Sequence, residues 1–254
     1  MVPAAAERLR SILVIIAYFS SFVGDGVDIA ELKKCHDDFK ATLQADVDSL
    51  IRLHANDSTG TGRPGEWLTA IRRSAIVLIA ANLENFIESL ICAALGYLAD
   101  QKLVARRYPE RFRLWLFRED ANMRNIGIED SRDFITLTLK LYSDVRPLEK
   151  SELKLDTLRD AFANPTPSSV TWLIALLDLD SYLDDVTLTV EGKDTNAKGA
   201  LGELAKRRND IAHGDATQKP DIEDVERLRK FCLLFSNRLY KDVTKATNSY
   251  FAKK

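Results

Sequence analysis

No stretch of this sequence alternates apolar and polar residues in the manner of a sheet strand, and loop punctuation is sparse, with 11 glycines and 7 prolines in 254 residues. Hydrophobic residues make up 46% of the chain and fall in long runs of helical period. That excludes disorder and leaves an all-α fold as the expectation. Charge of one sign is not in excess either. The formal net charge is −2, so no global field draws the chain to a polyanion, and any such site must be a local basic patch. Cysteine is rare: Cys35, Cys92 and Cys232 are odd in number and far apart, and the latter two sit in apolar helical runs. A reducing, cytoplasmic setting without disulfides is expected. The three histidines build no zinc signature with cysteines or carboxylates, so neither a metal nor a cofactor is expected.

What is present is helix after helix. Residues 6–23 read as the first. Its apolar part, 12–23, follows Arg8 and Arg10 in the manner of a signal peptide, but no small-x-small cleavage site follows. It is also too short to cross a membrane, so packing in the core or against a second copy is expected. After Gly24-Asp25-Gly26 comes an amphipathic helix over 28–53, with His36 and His54 on or beside its polar face and expected to be exposed. Residues 55–65 are a turn-rich loop that lacks the Gly-Lys-Ser/Thr of a P-loop. The longest run covers 66–99. It is apolar nearly all round from Ala75 to Ala81 and is then interrupted by Asn82, Glu84, Asn85 and Glu88, polar groups that need partners inside an apolar helix.

Residues 102–124 interleave Arg106, Arg107, Arg111, Arg113 and Arg118 with Tyr108, Phe112, Trp115 and Phe117. This is either a contact for single-stranded RNA or a surface helix with its aromatics inward and its arginines paired with Glu110, Glu119 and Asp120. A turn around Gly127 and two moderate helices, 131–143 and 147–162, follow. Asn164-Pro165-Thr166-Pro167 is a stop, and Ser168 or Ser169 caps a short helix over 170–179. An acidic loop (180–194), a helix (196–212) and a last helix (222–244) capped by Asp221 complete the chain, with a frayed tail from Ala246. The whole reads as one domain, 1–254: an N-terminal helical extension over 1–54 and a core over 66–245 with an insertion at about 101–145.

The densest chemistry lies in Arg207-Arg208-Asn209-Asp210-Ile211-Ala212-His213-Gly214. A guanidinium keeps its proton and matches phosphate oxygens two at a time. An imidazole takes or gives a proton near neutral pH. Arg208 and His213 together can therefore run phosphoryl-ester chemistry without a metal. The same residues also fit a plainer role, with Arg208 a solvated helix residue and His213 a helix C-cap before Gly214.

The string Arg-Asn-x-x-x-His-Gly resembles the signature of the HEPN superfamily. Arg72-Arg73-Ser74-Ala75-Ile76-Val77-Leu78 through Leu83-Glu84-Asn85-Phe86, and Phe162-Ala163-Asn164-Pro165 with the apolar helix after it, are similar to parts of RiboL-PSP-type HEPN families. The resemblance implies an all-helical, HEPN-like bundle, here with additional N-terminal helices and a helical insertion. It implies a dimer with a composite cleft between protomers, and in many members a metal-independent endoribonuclease of toxin or defence systems. On that basis Arg208 holds the scissile phosphate, His213 transfers a proton or positions the leaving group, and Asn209 orients one of them. Arg207 is a candidate phosphate contact or a solvated residue, and Asp210 a structural partner to an arginine. Glu84 pairs with Arg208, orients His213, or bonds elsewhere. RNA as substrate, a homodimer and an antitoxin or defence partner protein follow as expectations, with no membrane. The competing reading is a non-catalytic helical dimerisation or interaction module. A tyrosine just after the histidine, which serves as a modification point in some HEPN toxins, is replaced here by Gly214-Asp215-Ala216.

Overall fold

The computed structural model describes residues 29–57, 65–123, 131–162, 164–215 and 217–252. The expected 6–23 helix, most of the 55–65 loop and the turn around Gly127 lie outside the described residues. The chain is a helical bundle built on one long element. In order, its helices are α1 (Ala30–Leu43), α2 (Ser49–Asp57), α3 (Glu66–Asp100), α4 (Glu110–Met123), α5 (Ser131–Leu141), α6 (Leu155–Ala161), α7 (Pro167–Ala175), α8 (Tyr182–Asp185), α9 (Ala197–Ala212) and α10 (Ile222–Ala252). A π-helical turn, Gln44–Asp48, joins α1 to α2.

α3 is the hub. Its apolar residues are not confined to one stripe: Ile76, Ile79, Ala80, Leu83, Ile87, Leu90 and Ile91 are all fully buried. Such a helix must be covered on several sides. α10 and α1 run along it, and α9 crosses it. By length and composition α3 would suffice to cross a membrane, and here that apolarity serves the core. At its end Lys102 takes a left-handed backbone (φ 54°). The bonds Lys102 N–H to Ala99 O and Leu103 N–H to Leu98 O close the last turn. Residues of α1, of the 101–145 insertion and of α10 join α3 in one apolar cluster, so the N-terminal segment from Ile29 onward shares the core with everything after it.

Several expectations are corrected. α2 continues helical to Asp57, through residues whose turn-forming side chains read as loop. The 147–162 segment is a 3-10 turn (Lys150–Leu153) followed by α6 rather than one helix, because Lys154 adopts φ 50° between them. α7 is capped not by Ser168 or Ser169 but by Thr166, whose Oγ1 accepts from Ser169 N–H at 3.2 Å. Pro167 then sits at the first helical position, where no N–H is needed. The 180–194 loop contains α8 and a hairpin of β1 (Thr187–Val190) and β2 (Lys193–Asn196), with Val190 opposite Lys193. Thr187-Leu188-Thr189-Val190 does alternate, and Val190 is buried against α10. Glu191 (φ 52°) and Gly192 (φ 78°) make the tight connection, the left-handed pair that a two-residue hairpin demands. The hairpin delivers Asn196 as the cap of α9, its Oδ1 accepting from Gly199 N–H at 3.1 Å.

His36 and His54 are buried rather than exposed. His36 stacks on Tyr240 with ring centroids 4.8 Å apart, and burial pushes its pKa down, with Lys40 acting in the same direction. The 102–124 segment begins with a 3-10 turn (Ala105–Arg107) before α4, since Pro109 excludes helix from the residue before it. Its aromatics face inward: Tyr108, Phe112 and Trp115 are buried. Its arginines pair with Asp144 and Asp180 or stack on a ring, as Arg113 does over Tyr142. That describes the surface-helix alternative, with different carboxylates from those expected.

The tail does not fray at Ala246. α10 runs to Ala252 because Tyr250 is buried, and its hydroxyl donates to Leu177 O at 2.9 Å. Tyr250→Phe should therefore lower unfolding free energy by about 1–2 kcal/mol, the cost of leaving a buried carbonyl short of its donor. Urea denaturation would read the loss, and equal midpoints would show that the last turns of α10 are held by other contacts.

Candidate functional site

The Arg207–Gly214 string is the last turn and a half of α9. Its end is set by sequence. Gly214 adopts φ 80°, a conformation costly for residues with a Cβ. Gly214 N–H bonds Ile211 O at 3.1 Å and Asp215 N–H bonds Asp210 O at 3.0 Å. This pair of bonds is the Schellman stop. His213 is thus the C-cap (φ −81°, ψ 5°) and exposed. Its ring makes no hydrogen bond or ion pair among the described residues, so the imidazole stands free at a helix end of fixed geometry.

The two arginines part company. Arg207 turns toward α10: Nε donates to Glu203 Oε1 at 3.0 Å, and Nη1 and Nη2 donate to the two Asp224 oxygens at 2.9 and 3.0 Å. Arg227 donates to Glu203 and Asp224 as well. Arg207 is therefore a structural tie between α9 and α10, and its candidacy as a phosphate contact falls, because its fork already holds a carboxylate. Asp210 likewise has a structural role, accepting from Lys206 Nζ at 2.6 Å and Gln218 Nε2 at 3.2 Å, a lysine and an amide where an arginine was expected.

Arg208 has no carboxylate partner among the described residues. Its Nη1 donates to Asn209 Oδ1 at 3.0 Å. The same oxygen accepts from Asn164 Nδ2 at 3.0 Å, and the backbone N–H of Asn164 donates to Glu84 Oε1 at 2.8 Å. Glu84, in the middle of the hub helix, thus neither pairs with Arg208 nor reaches His213. It acts two steps removed, by fixing Asn164. That residue sits at φ 81°, with Ser169 Oγ donating to its carbonyl at 2.5 Å. Its Oδ1 is buried and accepts no hydrogen bond. Asn164 was legible as a helix stop before Pro165 and within the Phe162-Ala163-Asn164-Pro165 string of the family resemblance; neither gave a sign of its link to the motif.

Arg208 and His213 are not joined by any contact among the described residues. Five residues apart on a helix, they point about 140° apart around its axis. Ile211, three residues after Arg208, shares the Arg208 face, and Arg73 of α3 donates from Nη2 to Ile211 O at 3.4 Å. Beside this contact is an open groove of about 1140 Å³ lined by Thr69, Arg72, Arg73, Ser74, Ile211 and Lys219, among others. Among the described half-buried arginines, Arg207, Arg227 and Arg229 pair with carboxylates, and Arg113 stacks on Tyr142. Arg72, Arg73 and Arg208 do neither, and all three belong to this end of the molecule. Among the described residues, no group of three or more His, Cys, Asp and Glu is disposed to hold a metal ion.

The RiboL-PSP-HEPN family model matches residues 41–245, and the chain belongs to that family. The match begins inside α1 and spans the 101–145 insertion. No curated protein matches the chain. No solved structure matches it either. Family membership points to ribonuclease-type or related chemistry.

The Glu203–Arg207–Asp224–Arg227 cluster carries a pH signature. Arg227, by hydrogen bond and charge, holds the Glu203 carboxyl below the usual range. For Asp224, burial pushes the pKa up, but the bonds from Arg227 and Arg207 outweigh it and the net direction is down. Carboxyls depressed in the folded state contribute stability that is fully present above their unfolded pKa values. That stability is lost as pH falls through the folded ones. Thermal stability should therefore fall as pH drops below about 4, the ordinary carboxyl range. Glu203→Gln should be less stable than the parent at pH 7, and the two melting curves should converge in acid. Parallel curves at all pH values would show that the cluster contributes nothing through ionisation.

Proposed function

We propose that the chain is a metal-independent endoribonuclease that cuts single-stranded RNA by attack of the 2′-hydroxyl on its own phosphodiester. The observation that carries this reading is the Arg208 guanidinium, half-buried, unpaired with any carboxylate among the described residues, and braced through Asn209 and Asn164 by Glu84. A cation without a protein anion, held by a relay of amides, is suited to a phosphate that arrives with substrate. Attack forms the O2′–P bond and breaks the P–O5′ bond. The 2′-hydroxyl proton must leave to a base, and O5′ must gain a proton from an acid. The products are a 2′,3′-cyclic phosphate and a free 5′-hydroxyl.

One exposed imidazole cannot stand on both sides of an in-line displacement, and His213 diverges from Arg208 within a protomer. A two-fold dimer that brings two copies of the α9 end to one cleft supplies two imidazoles and two guanidiniums. In that arrangement one His213 acts as base and the other as acid, while Arg208 holds the phosphate and its growing negative charge. Such an enzyme suits a toxin or phage-defence effector restrained by a partner protein.

The test is incubation of the purified chain with single-stranded RNA in the presence of a chelator. Upstream fragments ending in 2′,3′-cyclic phosphate are expected. His213→Ala should lower the rate about 10²–10⁴-fold, the usual worth of a proton-transfer group. Arg208→Ala should lower it about 10²–10³-fold, and Arg208→Lys should restore little because an ammonium lacks the fork. Cleavage undiminished in both alanine variants would place the chemistry elsewhere. Absence of cleavage by a stable dimer would favour the non-catalytic interaction module.

Asn164 is a positioning residue in this scheme. Asn164→Gly keeps the left-handed backbone, removes the amide that holds Asn209, and removes a buried orphan oxygen, so stability should change little. The catalytic rate constant should drop about tenfold or more with KM nearly unchanged, because a small misplacement of a phosphate ligand is costly in the transition state. A variant with wild-type kcat would show that Asn209 needs no such brace.

A further inference from the structure

The groove beside the motif has no part in the scheme above. Its two walls are the first turns of α3 and the segment after α9. On the α3 wall Arg72 bonds only its own helix: Nε donates to Leu68 O at 3.2 Å and Nη2 to Thr69 Oγ1 at 3.1 Å. Those bonds fix the direction of the guanidinium, and no carboxylate among the described residues pairs with it. Arg73 is spent on Ile211 O, where a cation suits the carbonyl end of a helix. Lys219 is exposed on the opposite wall and has no ion pair among the described residues. Against these three cations Glu66 is the one carboxylate among the lining residues. Ile211 lines the groove and stands in the last turn of α9, three residues after Arg208, so the groove lies beside the helix end that carries the motif.

We infer that this groove is a second phosphate subsite, in which Arg72 and Lys219 hold the phosphodiester of a neighbouring nucleotide of the same RNA strand while Arg73 fixes the wall they share. The inference rests on the ribonuclease reading for the identity of the ligand. It adds that binding extends along the strand in the direction of α3. Arg72 offers a charge of fixed direction, with the hydroxyls of Thr69 and Ser74 in the same groove. Lys219 offers a mobile point charge on a loop. A fixed fork facing a mobile ammonium can accept a backbone phosphate without reading the base attached to it. The subsite would therefore set length dependence and salt dependence, and leave sequence preference to other contacts.

The experiment measures binding of a fluorescent single-stranded RNA of about ten nucleotides to the full chain carrying His213→Ala, in chelator, across a salt series, by anisotropy. On that background Arg72→Gln and Lys219→Ala are combined. Lys193→Ala, on the hairpin, serves as a control for net charge. Each phosphate contact on a single strand contributes about 0.7 to the slope of log affinity against log salt. Because both cations hold one phosphodiester, the doubly substituted groove should lose about 0.7 from that slope and bind about tenfold or more weakly at low salt, with the control unchanged. Lys219→Glu, which disturbs no packing, should weaken binding further than Lys219→Ala. An unchanged slope in the groove variants, with wild type still cutting RNA, would overturn the subsite and leave the ribonuclease reading in place. A slope that depends on Arg72 and Lys219, with no cleavage by wild type, would uphold the subsite and overturn the ribonuclease reading. No RNA binding by any variant would overturn both.

Discussion

A helix that is apolar nearly all round from Ala75 to Ala81 must be covered on more than one side, and α3 obliges the rest of the chain to cover it. α1, α9 and α10 are placed by that demand. The consequence for the site lies in the exceptions. Each polar group on α3 that faces protein must find a partner there or cost free energy. Asn82 reaches Asp46 and Glu88 reaches Arg159, while Glu84 accepts the backbone N–H of Asn164. That last bond pins the loop before α7 to the hub, and through the Asn164 amide it pins Asn209. The position of the Asn209 amide that Arg208 bonds thus descends in part from a polar group on the hub helix.

The helices were legible where burial follows the period of a helix. α3, α9 and α10 begin where the pattern places them, with Asn196 and Asp221 as caps: Asp221 Oδ1 accepts from Asp224 N–H at 2.7 Å. What was not legible depended on tertiary contacts. The 180–194 stretch reads as loop because five acidic residues outweigh a four-residue alternation, yet two left-handed residues suffice to make the hairpin. The end of α10 reads as frayed because Thr247, Ser249 and Tyr250 are polar. Thr247 bonds back to Val243 O, and Tyr250 caps a carbonyl of another segment. His36 and His54 read as exposed because imidazole is polar, although its ring also packs as an aromatic.

In the site, the motif residues were visible and their roles were not. Arg207 and Arg208 are chemically identical and adjacent, so sequence cannot say which is free. The answer comes from helical geometry and from α10: position 207 faces Asp224 and position 208 does not. Glu84 was visible as a polar group in an apolar run, but its partner is a backbone N–H, which carries no side-chain signature. Asn164 was visible as a stop and in the family resemblance, but its role was not, because its residue type suits a left-handed stop whether or not its amide is used.

This suggests a physical criterion that separates structural from functional arginines in the chain. Partial burial costs a guanidinium solvation, and the fold recovers that cost at Arg207, Arg227 and Arg229 with carboxylates. Among the described residues, Arg72, Arg73 and Arg208 carry the same cost with only neutral acceptors. Three uncompensated cations scattered over a surface would mean little. Here they are gathered at one helix end, in a molecule whose net charge is slightly negative. On the proposed reading, an affinity for single-stranded RNA built on these cations would fall with salt. A strand with one phosphate on Arg208 and its neighbour toward α3 would then be held in one register relative to His213, which is the condition for a proton to move at one bond rather than at many.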